Sequence, residues 1–143
     1  MKFIKTKIDN VWVIKHKTLI DNRGVFTRKF CKKSFKKNGF DLNFVQFNQS
    51  DNTFKGTLRG MHYQLDPFSE IKLISCIKGS VFDVLVDVRK ESKTYLKKFS
   101  IELSANDDIS LLVSKGIAHG FQTLDDHSTL IYFHSEYYNE KYY

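Results

Sequence analysis

Proline is almost missing from this chain, with Pro67 alone among 143 residues. There is no Gly/Ser-rich linker, no low-complexity run and no internal repeat. Nothing therefore marks a domain boundary, and residues 1–143 are expected to form one domain with room for a real core. Cysteine is scarce as well. Cys31 and Cys76 are too few for a disulfide framework and read as reduced thiols of a cytoplasmic protein. Long apolar runs are absent, since no stretch approaches the roughly 20 residues of a spanning helix. The opening residues, Met1 to Lys7, carry charge with no apolar region behind them, so no signal peptide is expected.

Positive charge is plentiful. The net charge of +7 is compatible with nucleic acid, a membrane surface or an anionic small ligand. The lysines scatter, apart from a denser patch at Lys29, Lys32, Lys33, Lys36 and Lys37. That patch reads as the solvated face of a helix. The basic residues are not interleaved with an aromatic RNA-binding signature, which argues against nucleic acid.

Periodicity favours strands. In Ser80–Arg89, Phe82, Val84, Val86 and Val88 share one face, and Asp83, Leu85, Asp87 and Arg89 share the other. Aspartates on an inward face are costly unless paired or wet. A second strand is expected over Lys72–Ile77, with a turn at Lys78-Gly79-Ser80. Further strands are expected at Val11–Ile14, Phe44–Asn48, Ser100–Leu103, Ser110–Val113 and Thr129–His134. One short helix is expected near Lys32–Lys37, with Gly39 placed to stop it. Many short strands with Gly and Asp turns indicate an all-β sandwich or small barrel.

Four segments carry chemistry: Asp21-Asn22-Arg23-Gly24-Val25-Phe26, Val45–Ser50, Leu58–Gln64 with Lys72-Leu73, and Gly116–Phe121 with Tyr132 and Tyr137-Tyr138. A lone histidine is more often structural than catalytic, and His16, His127 and His134 are read that way. His62 differs. In an extended segment it points the same way as Gln64, close to an arginine-glycine pair. Glycine permits close backbone approach. Arg59 offers a planar fork suited to phosphate or carboxylate.

In this order the segments resemble the nucleotide-sugar 3,5-epimerases, the dTDP-4-dehydrorhamnose 3,5-epimerase family. The matching residues are Asp21, Arg23, Gly24 and Phe26, then Gln46, Asn48 and Ser50, then Arg59, Gly60, His62, Tyr63 and Gln64. They continue through Lys72 and Leu73, then Asp83, Val84, Val86, Asp87 and Arg89, then Gly116, Ala118, His119, Gly120 and Phe121. The resemblance implies a cupin jelly-roll β-barrel with one or two short helices. It implies no cofactor and a homodimer that exchanges N-terminal strands, for which Val11–Ile14 is the natural segment. It makes His62 the base, places Lys72 by the ketone oxygen and makes Tyr132 the acid. His119 and Asp83 would line the pocket. Arg23, Phe26, Gln46, Asn48 and Arg59 would hold the nucleotide and diphosphate, with Tyr138 near the sugar.

These residue types suit the reaction. Inverting a carbon beside a ketone removes its hydrogen as a proton and leaves an enolate. Histidine is a base of near-neutral pKa, a lysine meets the oxyanion, and a tyrosine can return the proton on the other face. Metal-dependent cupins carry a His-x-His pair; here Gln64 replaces the second histidine, so no metal is expected. Two departures stand out. Arg28 occupies a place where the family commonly has an acidic residue. The family's aspartate that orients the base histidine lies beyond the Tyr-Tyr segment, and no counterpart is expected before Tyr143. Two other activities compete with this one: a 3,4-ketoisomerase of the same substrate class, and a module that binds a nucleotide sugar without turning it over. The R-G-x-H-Y-Q and A-H-G-F segments fit the epimerases better.

Overall fold

The computed structural model describes residues 1–143. The strands are β1 (Lys2–Lys5), β2 (Val11–Lys15), β3 (Thr18–Asp21), β4 (Gly24–Thr27), β5 (Gln46–Asn52) and β6 (Leu58–His62). They continue with β7 (Lys72–Lys78), β8 (Ser80–Asp87), β9 (Lys98–Ser104), β10 (Ile109–Val113), β11 (Ile117–Thr123) and β12 (Ser128–His134). One helix, α1 (Lys32–Lys37), and a 3-10 turn (Glu140–Tyr142) complete the chain.

All pairings are antiparallel. Six strands form one sheet in the order β1-β2-β10-β7-β12-β5, and four form a second in the order β6-β11-β8-β9. The arrangement is the jelly-roll pair of cupin-like sheets. Hydrogen bonding does not close them into a continuous barrel, because β1, β5, β6 and β9 remain edge strands. Strands β3 and β4 form a separate hairpin.

Two apolar clusters hold the layers together. Between the sheets lie Val11, Ile74, Val81, Leu85, Leu103, Leu111, Val113, Ile117, Phe121 and Leu130 with their neighbours. Alternate residues of the six-stranded sheet point outward. There Ile14, Leu73 and Leu112 meet Phe35 of α1, walled by Phe3, Phe30, Phe40, Phe44 and Phe133. Phe35 is the buried residue of α1, while its lysines stay in water. Gly39 ends the helix with φ +90°, its N–H donating to Lys36 O at 3.0 Å.

One expected strand shifts. Strand β5 runs Gln46–Asn52 rather than Phe44–Asn48, since Phe44 is drawn under α1 by the aromatic cluster. In β8 the aspartate face is the buried one, and Phe82 is exposed. The Val11–Ile14 segment lies in β2. It pairs with β1 on one side and β10 on the other, all within this chain.

Candidate functional site

A cavity of about 550 Å³ opens between the two sheets near one end. Its walls follow from strand register. On the six-stranded sheet His134 pairs with Lys72 on one side and Gln46 on the other, and Tyr132 pairs with Asn48. Alternation sends Tyr132 and His134 inward on β12, with Phe133 going outward to the α1 cluster. The four-stranded sheet contributes His119 from β11 and both Arg59 and His62 from β6.

Arg59 and His62 would diverge on a regular strand, because their spacing is odd. In β6 they do not. Phe121 pairs with Arg59 and His119 with His62, so β6 spends one residue more than β11 over this stretch. The bulge centres on Gly60, at φ +115°. A Cβ there would lie 2.5 Å from Gly120 Cα and 2.8 Å from His119 O. Glycine is required for the two backbones to meet. Arg59 is then fixed by donating from Nε to Asn52 Oδ1 at 2.7 Å.

His62 stacks on Tyr143, ring centroids 5.1 Å apart and planes 17° from parallel. Partial burial lowers its pKa, and the nearby Lys72, His119 and Arg59 lower it further. The ring is accordingly neutral and able to take a proton near pH 7. Tyr132 is pushed the other way, by burial and by the Asp83 charge, and stays protonated.

Asp83 is fully buried and does not form the cavity wall, contrary to expectation. It sits behind His119, accepting from Nε2 at 2.7 Å. Burial raises its pKa, opposed by His119. Asp87, the other inward aspartate, is covered by Arg89, Ser92 and Thr94. Asp87 is thus fully paired, whereas Asp83 is paired through Oδ2 alone and its Oδ1 is buried without a partner.

The cavity also holds two residues that sequence reasoning did not assign. His134, expected to be structural, is a wall residue. Glu70 lies beside it and bonds Lys72 Nζ at 3.0 Å. Glu70 Oε2 accepts from His134 Nδ1 at 3.1 Å and from Gln64 Nε2 at 3.0 Å. Burial alone would raise the Glu70 pKa, but these partners outweigh it and hold it below the ordinary value. Period-two alternation was the available signal for both, since Glu70 precedes Lys72 by two residues and His134 follows Tyr132 by two.

Gln64 does not share the cavity with His62, because β6 ends at His62. Its amide instead ties down the C-terminal segment, donating to Tyr137 O and accepting from Asn139 N at 2.7 Å. That segment brings Tyr138 and Tyr143 over the cavity mouth. Arg23 and Phe26 are not at the cavity. They sit on the β3–β4 hairpin, where Arg23 pairs with Asp21 and Phe26 is 63% exposed. No cluster of three or more His, Cys, Asp or Glu side chains is arranged to hold a metal ion.

Residues 5–143 match the family model described as dTDP-4-dehydrorhamnose 3,5-epimerase. The chain belongs to this family. A relative of that name from Shigella flexneri is 42% identical over 141 residues, spanning 98% of this chain and 77% of its own. The dTDP-4-dehydrorhamnose 3,5-epimerase of Bacillus anthracis, solved with TDP and PPi bound, superposes with a TM-score of 0.96 at 38% identity. The match covers 99% of this chain and 81% of that one. The epimerase of Legionella pneumophila, solved with dTDP-4-keto-L-rhamnose, superposes with a TM-score of 0.93 at 36% identity, covering 99% and 74% of the two chains. The family's two-sheet fold and this chain's fold are thus the same.

Proposed function

We propose that this chain epimerises a nucleotide-activated 4-keto-6-deoxy-sugar, of the dTDP-4-keto-6-deoxyglucose kind, at carbons 3 and/or 5 through an enolate. The observation that carries this is the placement of His62 and Tyr132. They share one cavity but stand on opposite sheets. Epimerisation needs a base on one face of the sugar ring and an acid on the other.

His62, held neutral, takes the proton beside the ketone. The electron pair moves into the C–C bond and onto the carbonyl oxygen, giving the enolate. The Lys72 ammonium faces that oxygen, a contribution of about 3 kcal/mol for an oxyanion donor. The Tyr132 phenol then delivers a proton to the opposite face, and the carbonyl re-forms. His119, backed by Asp83, stands edge-on to Tyr132 at 6.1 Å and holds that wall. Only protons move, so the reaction asks for no redox cofactor. Arg59, Gln46 and Asn48 hold the diphosphate and nucleotide, and Tyr138 packs near the sugar. The ligands bound to the Bacillus and Legionella relatives support that substrate class.

The working unit is a homodimer of single-domain chains in the cytoplasm. The β3–β4 hairpin supports this reading. Its Leu19, Ile20, Val25 and Phe26 are 55–78% exposed, too much apolar surface for an arm left in water. Laid against a second copy, the hairpin carries Arg23 and Phe26 to the partner's site. The reduced state of Cys31 and Cys76 fits the cytoplasm. No helix is long and apolar enough to cross a membrane.

Incubating the protein with dTDP-4-keto-6-deoxyglucose in deuterium oxide tests the activity. Deuterium at carbon 3, carbon 5 or both, with inversion, is the expected result. Migration of the carbonyl would identify a ketoisomerase, and binding without exchange would identify a binding module. In Tyr132→Phe, exchange persists while inversion fails, because the proton returns on the face it left.

A further inference from the structure

Glu70 is bonded to Lys72, His134 and Gln64. Its Oε1 accepts from Lys72 Nζ at 3.0 Å, and both side chains are under 9% exposed. Its Oε2 is shared by His134 Nδ1 and Gln64 Nε2. Three donors from three directions fix the plane of the carboxylate. With Nδ1 donating to Glu70, His134 Nε2 is left to accept from Asn48 Nδ2 at 3.4 Å, on the wall assigned to the nucleotide. Gln64 passes the same tie to the segment carrying Tyr138 and Tyr143.

Lysine is a poor oxyanion donor unless held. Its four-carbon stem carries about 2 kcal/mol of rotamer entropy, and its ammonium is a compact charge that rotates freely. Burial of the Lys72 side chain makes an unpaired ammonium costly as well. A carboxylate 3.0 Å from Nζ meets both requirements. Nζ is committed to Glu70 on one side, and Lys72 lines the cavity. The pair is neutral overall, so the uncharged ketone binds without facing a bare cation. As the enolate forms, the nearer ammonium outweighs the farther carboxylate, because attraction falls with distance.

We propose that Glu70 is a positioning residue for the epimerisation, acting through Lys72 to aim its ammonium at the ketone oxygen. This rests on the role given to Lys72 above. Glu70 does not touch the reacting atoms, and its effect belongs in kcat rather than in nucleotide affinity.

A double-mutant cycle tests it, with Glu70→Gln, Lys72→Met and the pair, measuring kcat, KM and dTDP affinity. Glu70→Gln keeps the size and the acceptor oxygen. It should lower kcat roughly 10- to 100-fold, less than the 10²–10³ for losing an oxyanion donor outright. KM and dTDP affinity should stay within about 3-fold. In the Lys72→Met background the same change should alter kcat by less than about 2-fold, because its target is gone. Additive losses, or an unchanged kcat in Glu70→Gln, overturn the inference. Should Glu70→Gln fail to fold, Glu70→Asp retains the charge but withdraws it by one methylene. A fall in kcat with KM unchanged then supports positioning, and parental kcat overturns it. A parent with no exchange activity overturns the epimerase reading itself, and this inference with it. An active parent with an additive cycle overturns this inference alone.

Discussion

Arg59 and His62 face the same cavity from one strand because β6 carries an extra residue at Gly60. The close approach of Gly60 to Gly120 leaves no room for a side chain. Gly60→Ala is therefore expected to destabilise the protein by about 1–3 kcal/mol through overpacking, beyond the strain of its positive φ. The control is Gly56→Ala, at φ +83° in open space, which costs about 1–2 kcal/mol of backbone strain alone. Denaturant midpoints for the two variants decide the matter. Exchange activity should fall in the first and survive in the second.

His62→Ala should lower deuterium exchange at the substrate by roughly 10²–10⁴, the usual contribution of a placed general base. Affinity for dTDP should barely change, since the phosphate contacts are assigned to arginines. The comparison is mutant against the same parent chain. Equal exchange in both would remove His62 as the base.

His16 gives a pH-dependent stability outside the site. Burial, and then the Lys29 charge, lower its pKa to about 4, and its Nε2 lies 2.6 Å from Ser110 Oγ. The unfolded chain binds the proton near pH 6.5 and the folded chain does not. Stability contributed by neutral His16 is complete above about pH 6.5 and is lost as pH falls towards about 4. The melting temperature should drop across that window. His16→Gln should flatten the slope there, and an unchanged slope would show that another group is responsible.

Light scattering at micromolar concentration should give about twice the 16.8 kDa chain mass. Phe26→Asp should shift the population to monomer. Arg23→Ala should weaken dTDP binding although Arg23 is remote from its own chain's cavity. A parent that scatters as a single chain would exclude the dimer.

Chelation should leave turnover unchanged, because Gln64, at the position of a metal pair's second histidine, is committed to the C-terminal segment. Loss of activity restored by a divalent ion would refute this.

Much of this architecture was legible in the residues. The segments Lys72–Ile77, Ser80–Arg89 and Thr129–His134 were read as strands to within a residue or two of β7, β8 and β12, and Gly39 marked the helix end. Strand β11 was harder. It is buried on both faces, so no alternation betrays it. The motif residues around His62, Lys72, His119 and Tyr132 converge as their order suggested.

Which face of a strand turns inward was decided only by the tertiary structure. In β8 hydrophobicity alone favours Phe82 and Val84 as the inner face, yet Asp83 and Asp87 are inside. They can be because His119, 36 residues away, pairs with Oδ2 of Asp83, and Arg89, Ser92 and Thr94 surround Asp87. The same holds for Arg59 and His62, whose common direction comes from a bulge against β11, and for Glu70, whose three donors come from three separate segments. A sequence specifies the period of its own strands through local geometry. The partners of a buried charge are set by cross-strand register, and that exists only once distant strands have paired.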